Sequence, residues 1–217
     1  MSDITSQPRA PQIPAAHRRP HGRMGRIIVA LILREMATTY GKSAGGYLWA
    51  VIEPVLGIVI LALIFGMMLN EPALGTSFPL FYASGFLPFT MFNSMAAKIA
   101  LSIRFSRPFL AYPSVTFIDT MIARALLNML TNIAVIAIVI TGIFIVYQIP
   151  PVVNMAAIFE SLVMISLLGI GVGSMNCYLM TAFPVWERTW QIVTRPLFLI
   201  SGTLFLYDFM PSSVQNL

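Results

Sequence analysis

The residues of this chain that could do chemistry are few, and most lack the geometry that chemistry requires. Gly41-Lys42-Ser43 has the form of the end of a phosphate-binding loop. Such a loop cradles phosphates on backbone amides and needs an earlier glycine and a strand feeding it. The position of that earlier glycine is Met36, and the segment before the loop patterns as helix, so no nucleotide site is expected. His17 and His21 both fall in a stretch rich in Pro, Arg and His, away from partners for a triad or a metal cluster. Glu53, Asp119, Glu160 and Glu187 lie on different segments and supply no paired carboxylates for acid–base work. Cys177 is the sole cysteine, which excludes an intrachain disulfide and a cysteine-cluster metal site. We therefore expect no catalysis by this chain. Any ATP its function uses must be bound by another subunit.

Polar residues inside apolar runs are better candidates, because they are costly in hydrocarbon. Thr120, Arg124, Asn128, Thr131 and Asn132 recur at three- to four-residue steps, which places them on one face of a helix. Two readings stand for this face. It hydrogen-bonds to neighbouring helices, with Arg124 reaching for the cytoplasmic surface, or it lines a translocation path. Tyr82, Phe86 and Phe89 sit at i, i+4 and i+7 and share a face with Asn93. Rings so placed pack in a core, face lipid, or stack on sugars as a polymer slides past. Glu160 either lines a path or pairs with a neighbouring polar helix. Gly169 and Gly173 stand in a GxxxG relation, which predicts close helix packing.

The elements that must position these residues follow from composition. Of the 217 residues 58% are hydrophobic and 10% charged, against about 25% charged in soluble domains. Most of the surface therefore meets something other than water, and the expected fold is an all-α, polytopic membrane protein. A spanning helix needs about 20 mostly apolar residues. Residues 49–69, 78–101, 120–147 and 152–183 satisfy this, and a shorter fifth run covers 197–210. The net charge of +5 does not point to nucleic acid, because seven of the thirteen Lys and Arg lie between Arg9 and Lys42. The links 70–77 and 148–151 contain no Lys or Arg, whereas 102–119 contains Arg104 and Arg107, and 184–196 contains Arg188 and Arg195. By the positive-inside rule the basic links and the N-terminus are cytoplasmic. Residues 1–23 are expected to form a disordered cytoplasmic tail, and 24–217 the membrane domain. Within it, residues 24–40 should form an amphipathic helix along the cytoplasmic interface, with Arg23, Arg26, Arg34 and Lys42 near lipid headgroups. The basic links read RFSRPFLAYPSVT (104–116) and FPVWERTWQIVTRP (183–196). Each has room for a short helix that presents aromatic and charged side chains to a soluble partner, or else is an ordinary solvated turn.

Lys42-Ser-Ala-Gly-Gly-Tyr-Leu-Trp-Ala-Val-Ile-Glu-Pro54 resembles the start of the first span in ABC-2-type permeases, with Ala44 and Gly45 replacing the usual bulky pair. Tyr112-Pro113 before the third span also fits. Trp186-Glu187, Arg195-Pro196-Leu197-Phe198 and Ser201-Gly202 resemble the branch that exports capsular polysaccharide. The resemblance covers about residues 25–210. It implies a homodimeric permease of the bacterial inner membrane, each protomer with six spans, and two cytoplasmic ATPase subunits that bind ATP and Mg. Polymer would be threaded outward between protomers and passed to periplasmic and outer-membrane proteins. On this reading Tyr82, Phe86, Phe89, Asn93, Arg124, Asn128 and Asn132 belong to the path. Arg104, Arg107, Phe109, Tyr112, Trp186 and Glu187 belong to ATPase docking. Only nine residues follow Asp208, fewer than an outer re-entrant segment and sixth span need, so truncation at Leu217 is expected. The rival readings are an exporter of a drug or lipid, a membrane-embedded enzyme acting on lipid-linked sugar, and a non-catalytic assembly factor.

Overall fold

The computed structural model describes residues 22–39, 45–69, 71–72, 75, 77–110, 116–150 and 153–201, and among these the regular structure is entirely helical. Seven helices follow in order: α1 (Gly22–Thr39), α2 (Gly46–Met68), α3 (Phe78–Ala100), α4 (Ser102–Leu110), α5 (Phe117–Tyr147), α6 (Met155–Ala182) and α7 (Trp186–Ile200). The first four expected spans fall on α2, α3, α5 and α6. The fifth run, 197–210, is reached only by the last turn of α7, and its residues 202–210 lie outside the described residues. So do residues 1–21 of the expected tail, while Gly22 and Arg23 already belong to α1.

The helix ends are set by local chemistry. Thr116 and Asp119 form a reciprocal capping box at the start of α5: the Asp119 carboxylate accepts the Thr116 backbone N–H at 2.9 Å and its hydroxyl at 2.6 Å. The Thr116 hydroxyl oxygen accepts the Asp119 N–H at 3.4 Å. This answers two of the orphan donors every helix start presents. At α6 the Asn154 side-chain oxygen accepts from the backbone of Ala156 and Ala157 at 3.1 and 3.2 Å. Between them, Gln148 closes α5 in the left-handed region at φ 51°.

Among the described residues three helices, α2, α5 and α6, are long and apolar enough to cross a membrane. α3 equals α2 in length at 23 residues but carries Thr90, Asn93, Ser94 and Lys98. Its position accounts for this. It packs against α6, α5 and α2, so its polar groups face protein. The other three turn their apolar side chains outward: Leu56, Ile60 and Leu63 on α2, Ile138 and Ile145 on α5, Phe159, Met164 and Leu167 on α6. In lipid such an exposed apolar surface costs nothing, so the usual inside-out arrangement of a soluble core does not apply.

The interior is built around α3. Ala83, Leu87, Met91 and Met95 meet Ile58 of α2 and Ile136, Val139 and Ile143 of α5 in one buried cluster. α3 also lies along α6, where Gly169 and Gly173 are buried. A methyl group built at Gly173 would fall 2.8 Å from the Cβ of Ile99 and 3.1 Å from the Ala96 carbonyl oxygen. At Gly169 it would lie 3.1 Å from the Cβ of Met95. The GxxxG pair is thus the surface on which α6 approaches the α3 backbone. One turn on, the Ser102 hydroxyl and the Cys177 thiol lie 3.6 Å apart across the same seam. α1 packs on α5, where Glu35 meets Arg124.

Candidate functional site

Between α2, α3 and α5 lies a cavity of about 710 Å³. Its wall is largely apolar but also holds polar and charged side chains. α2 contributes Trp49 and Glu53, α3 contributes Phe86, Thr90, Asn93, Ser94 and Lys98, and α5 contributes Thr131 and Asn132. Two of these side chains tie α5 to α3: the Asn132 amide donates to the Ser94 hydroxyl at 3.0 Å and also to the Asn128 carbonyl at 2.8 Å. The hydroxyls of Thr90 and Thr131 donate to carbonyls of their own helices, Leu87 and Leu127, each at 2.8 Å. Each back-bonded hydroxyl keeps lone pairs for an incoming donor. Amides, hydroxyls, a carboxylate and an ammonium set among apolar and aromatic side chains can exchange hydrogen bonds with a polar solute.

The residues expected along the path separate into two groups. Phe86, Asn93 and Asn132 line this cavity. Phe86 is aimed by α2: a methyl at Gly57 would meet its ring at 2.7 Å, so only glycine leaves the ring this close to the α2 backbone. Tyr82, Phe89, Arg124 and Asn128 are elsewhere. Tyr82 is 1% exposed, with its ring 5.3 Å from that of Phe65 and 5.1 Å from that of Phe81. Phe89 packs on Phe198 of α7, centroids 5.2 Å apart. The three rings share one side of α3: Phe86 and Phe89 both meet the Phe198 ring, at 6.1 and 5.2 Å, while Tyr82 is enclosed beside Phe65 and Phe81. Asn128 is buried, its amide donating to the Arg124 carbonyl at 2.8 Å.

Arg124 neither faces the cavity nor reaches out to the surface. Its Nε lies 3.1 Å from Oε1 of Glu35 on α1, and both side chains are almost fully buried. Its Nη1 donates to the Lys98 carbonyl at 2.8 Å, and its guanidinium stands over the Phe105 ring of α4 at 4.1 Å. Glu35 was not marked by sequence reasoning. The signal for it was available: an arginine inside a span requires a counter-charge, and Glu35 is the only acid in the helix that precedes the spans.

The residues expected to dock a partner lie on α4 and at the start of α7. Arg104 and Glu187 join the two helices by an ion pair of 3.0 Å, with the side chains 64% and 30% exposed. Trp186 is partly buried and its indole N–H donates to the Asn176 side chain at 2.9 Å, fastening α7 to α6. Arg107 and Phe109 fall within α4. Tyr112 lies outside the described residues. The link 184–196 is thus mostly helix, with Pro196 inside α7 rather than at its border.

The model of the family described as ABC-2 type transporter matches residues 26–217. A polysialic acid transport protein of Escherichia coli, KpsM, is 31% identical over 184 residues, 85% of this chain and 71% of the relative. The capsule polysaccharide export inner-membrane protein CtrC of Neisseria meningitidis serogroup B is 25% identical over 192 residues, 88% and 72% of the two chains. The protein BexB of Haemophilus influenzae, described in the same words, is 24% identical over 197 residues, 89% and 73%.

Proposed function

The chain belongs to the ABC-2 type transporter family, and on that premise we propose that it is the membrane permease subunit of an ATP-driven exporter that moves capsular or related cell-surface polysaccharide across the bacterial inner membrane. The observation that carries this reading is the polar cavity among spanning helices. Amides and hydroxyls in hydrocarbon are costly unless they serve a polar solute or one another. Here Asn132 and Ser94 satisfy each other, the Thr90 and Thr131 hydroxyls donate to carbonyls of their own helices, and Asn93 lines the cavity beside them. Phe86 and Trp49 add ring faces for sugar rings. The names of the relatives, which refer to polysialic acid and capsule polysaccharide, support the same class of cargo.

The energy comes from a partner ATPase that binds ATP and Mg. It docks on the exposed cytoplasmic face where α4 and α7 are joined by Arg104 and Glu187. The N-terminus and these two helices lie on the cytoplasmic side, in keeping with the Arg residues of both basic links. Two copies of the chain enclose the polymer, and periplasmic and outer-membrane proteins continue its route. The permease makes and breaks no covalent bond. It offers hydrogen bonds that a sliding polymer can exchange one for another.

Deletion of the gene in its native bacterium tests the cargo. Polymer should accumulate inside the cell and return to the surface when the gene is restored. A normal capsule in the deletion strain would sink the polysaccharide reading and leave a drug or lipid as cargo.

A further inference from the structure

Four helices meet at one guanidinium. Arg124 stands about two turns into α5 and is 6% exposed. Its Nε pairs with Glu35 of α1 at 3.1 Å. Its Nη1 donates at 2.8 Å to the carbonyl of Lys98 in the last turn of α3. Its flat face covers the Phe105 ring of α4 at 4.1 Å. These contacts use three different properties of the side chain: charge, directed N–H donors and a planar face. Lysine has a charge but neither the fork nor the plane.

The node continues into the cavity wall. The Asn128 amide donates to the Arg124 carbonyl, and the Asn132 amide donates to the Asn128 carbonyl, both at 2.8 Å. Asn132 also holds Ser94 of α3 at 3.0 Å. A polar ladder on one face of α5 therefore runs from the α1–α4 corner to the cavity.

We infer that Arg124 and Glu35 are positioning residues of export, a clasp that makes the interfacial helix α1, the partner-facing helix α4 and the cavity-lining helices α3 and α5 move as one body. This rests on the exporter reading. ATP-driven displacement of α4 then shifts the cavity wall, because the guanidinium ties α4 to α5 and to the end of α3. Without the clasp, α4 moves and the wall does not follow.

The test uses the complete permease–ATPase complex in the native host and in proteoliposomes. Arg124→Gln should leave the ATPase subunit bound and hydrolysing ATP, while radiolabelled polymer reaching the cell surface per ATP consumed falls on the order of tenfold, within the usual span of coupling between sites. Arg124→Lys should lose part of that ratio. The charge exchange Glu35→Arg with Arg124→Glu should recover part of it, since the ion pair returns without the fork to Lys98. An unchanged ratio in Arg124→Gln overturns the clasp. So does an exchanged pair that assembles normally yet exports no better than Arg124→Gln. If the wild-type complex exports no polymer, the cargo is wrong, and hydrogen exchange then decides about the clasp. A non-hydrolysable ATP analogue should alter protection in α1, α4 and the first turns of α5 together in wild type, and in α4 alone in Arg124→Gln. Joint changes in both proteins overturn it whatever the cargo.

Discussion

The two sides of α3 are packed by opposite rules. Towards α6, Gly169 and Gly173 let two backbones approach until a single added methyl would meet Ile99 at 2.8 Å. Towards α2 and α5, larger side chains such as Leu87 and Met91 pack into a buried apolar cluster and leave beside it a cavity of about 710 Å³. Lipid supplies no hydrophobic force to press helices together, so close van der Waals contact along small residues is what binds one pair firmly. With α3 anchored on one side, its other side is free to stay open. The lesson is that the tight seam and the open cavity depend on each other: the first gives the second a rigid wall.

The largest effect is expected at the seam. Gly173→Leu adds a branched side chain where the nearest atoms are an α3 backbone carbonyl and a β-branched Cβ, neither able to swing away. Overpacking of this kind costs about 3 kcal/mol or more, so folded permease should disappear from membranes. Recovery of normal amounts, by immunoblot and size-exclusion chromatography, would break the comparison. On the cavity side, Asn132→Ala removes one interhelical hydrogen bond, worth about 1 kcal/mol in a membrane. The protein should still fold, with a slightly lower melting temperature in detergent, yet export should drop. A large loss of folded protein with undiminished export per molecule would reverse the roles assigned to the two sides.

A third substitution lies outside both. Glu187→Gln removes an exposed ion pair with Arg104. Such pairs contribute under about 1 kcal/mol, so melting should barely move while co-purification of the ATPase weakens. The smallest effect is expected at Gly171, which shares α6 with the seam glycines but has open space where its Cβ would be. Gly171→Ala should be neutral or stabilise by up to about 1 kcal/mol, from helix propensity alone. A loss as large as at Gly173 would mean that glycine content, and not close approach, is what α6 requires.

Much of this was legible in the chain. The long apolar runs mark α2, α5 and α6, the four-residue steps of Arg124, Asn128 and Asn132 mark one face of α5, and the glycine spacing marks the α3–α6 seam. Less was legible where a side chain's role depends on what a distant segment brings. Tyr82, Phe86 and Phe89 look alike by spacing, yet Tyr82 is enclosed beside Phe65, while Phe86 and Phe89 both meet Phe198 and only Phe86 of the three lines the cavity. Trp186 looks free for a partner and is instead bonded to Asn176.

By itself the sequence determined what each helix is: its length, its lipid tolerance and which residues share a face, because these depend on composition and the helical period over neighbouring residues. Only the tertiary structure decided what each face meets. Glu35 and Arg124 are 89 residues apart with α2, α3 and α4 between them, and no local pattern couples them. Their pairing arises because a buried guanidinium must find a carboxylate, and α1 folds back along α5 to supply one.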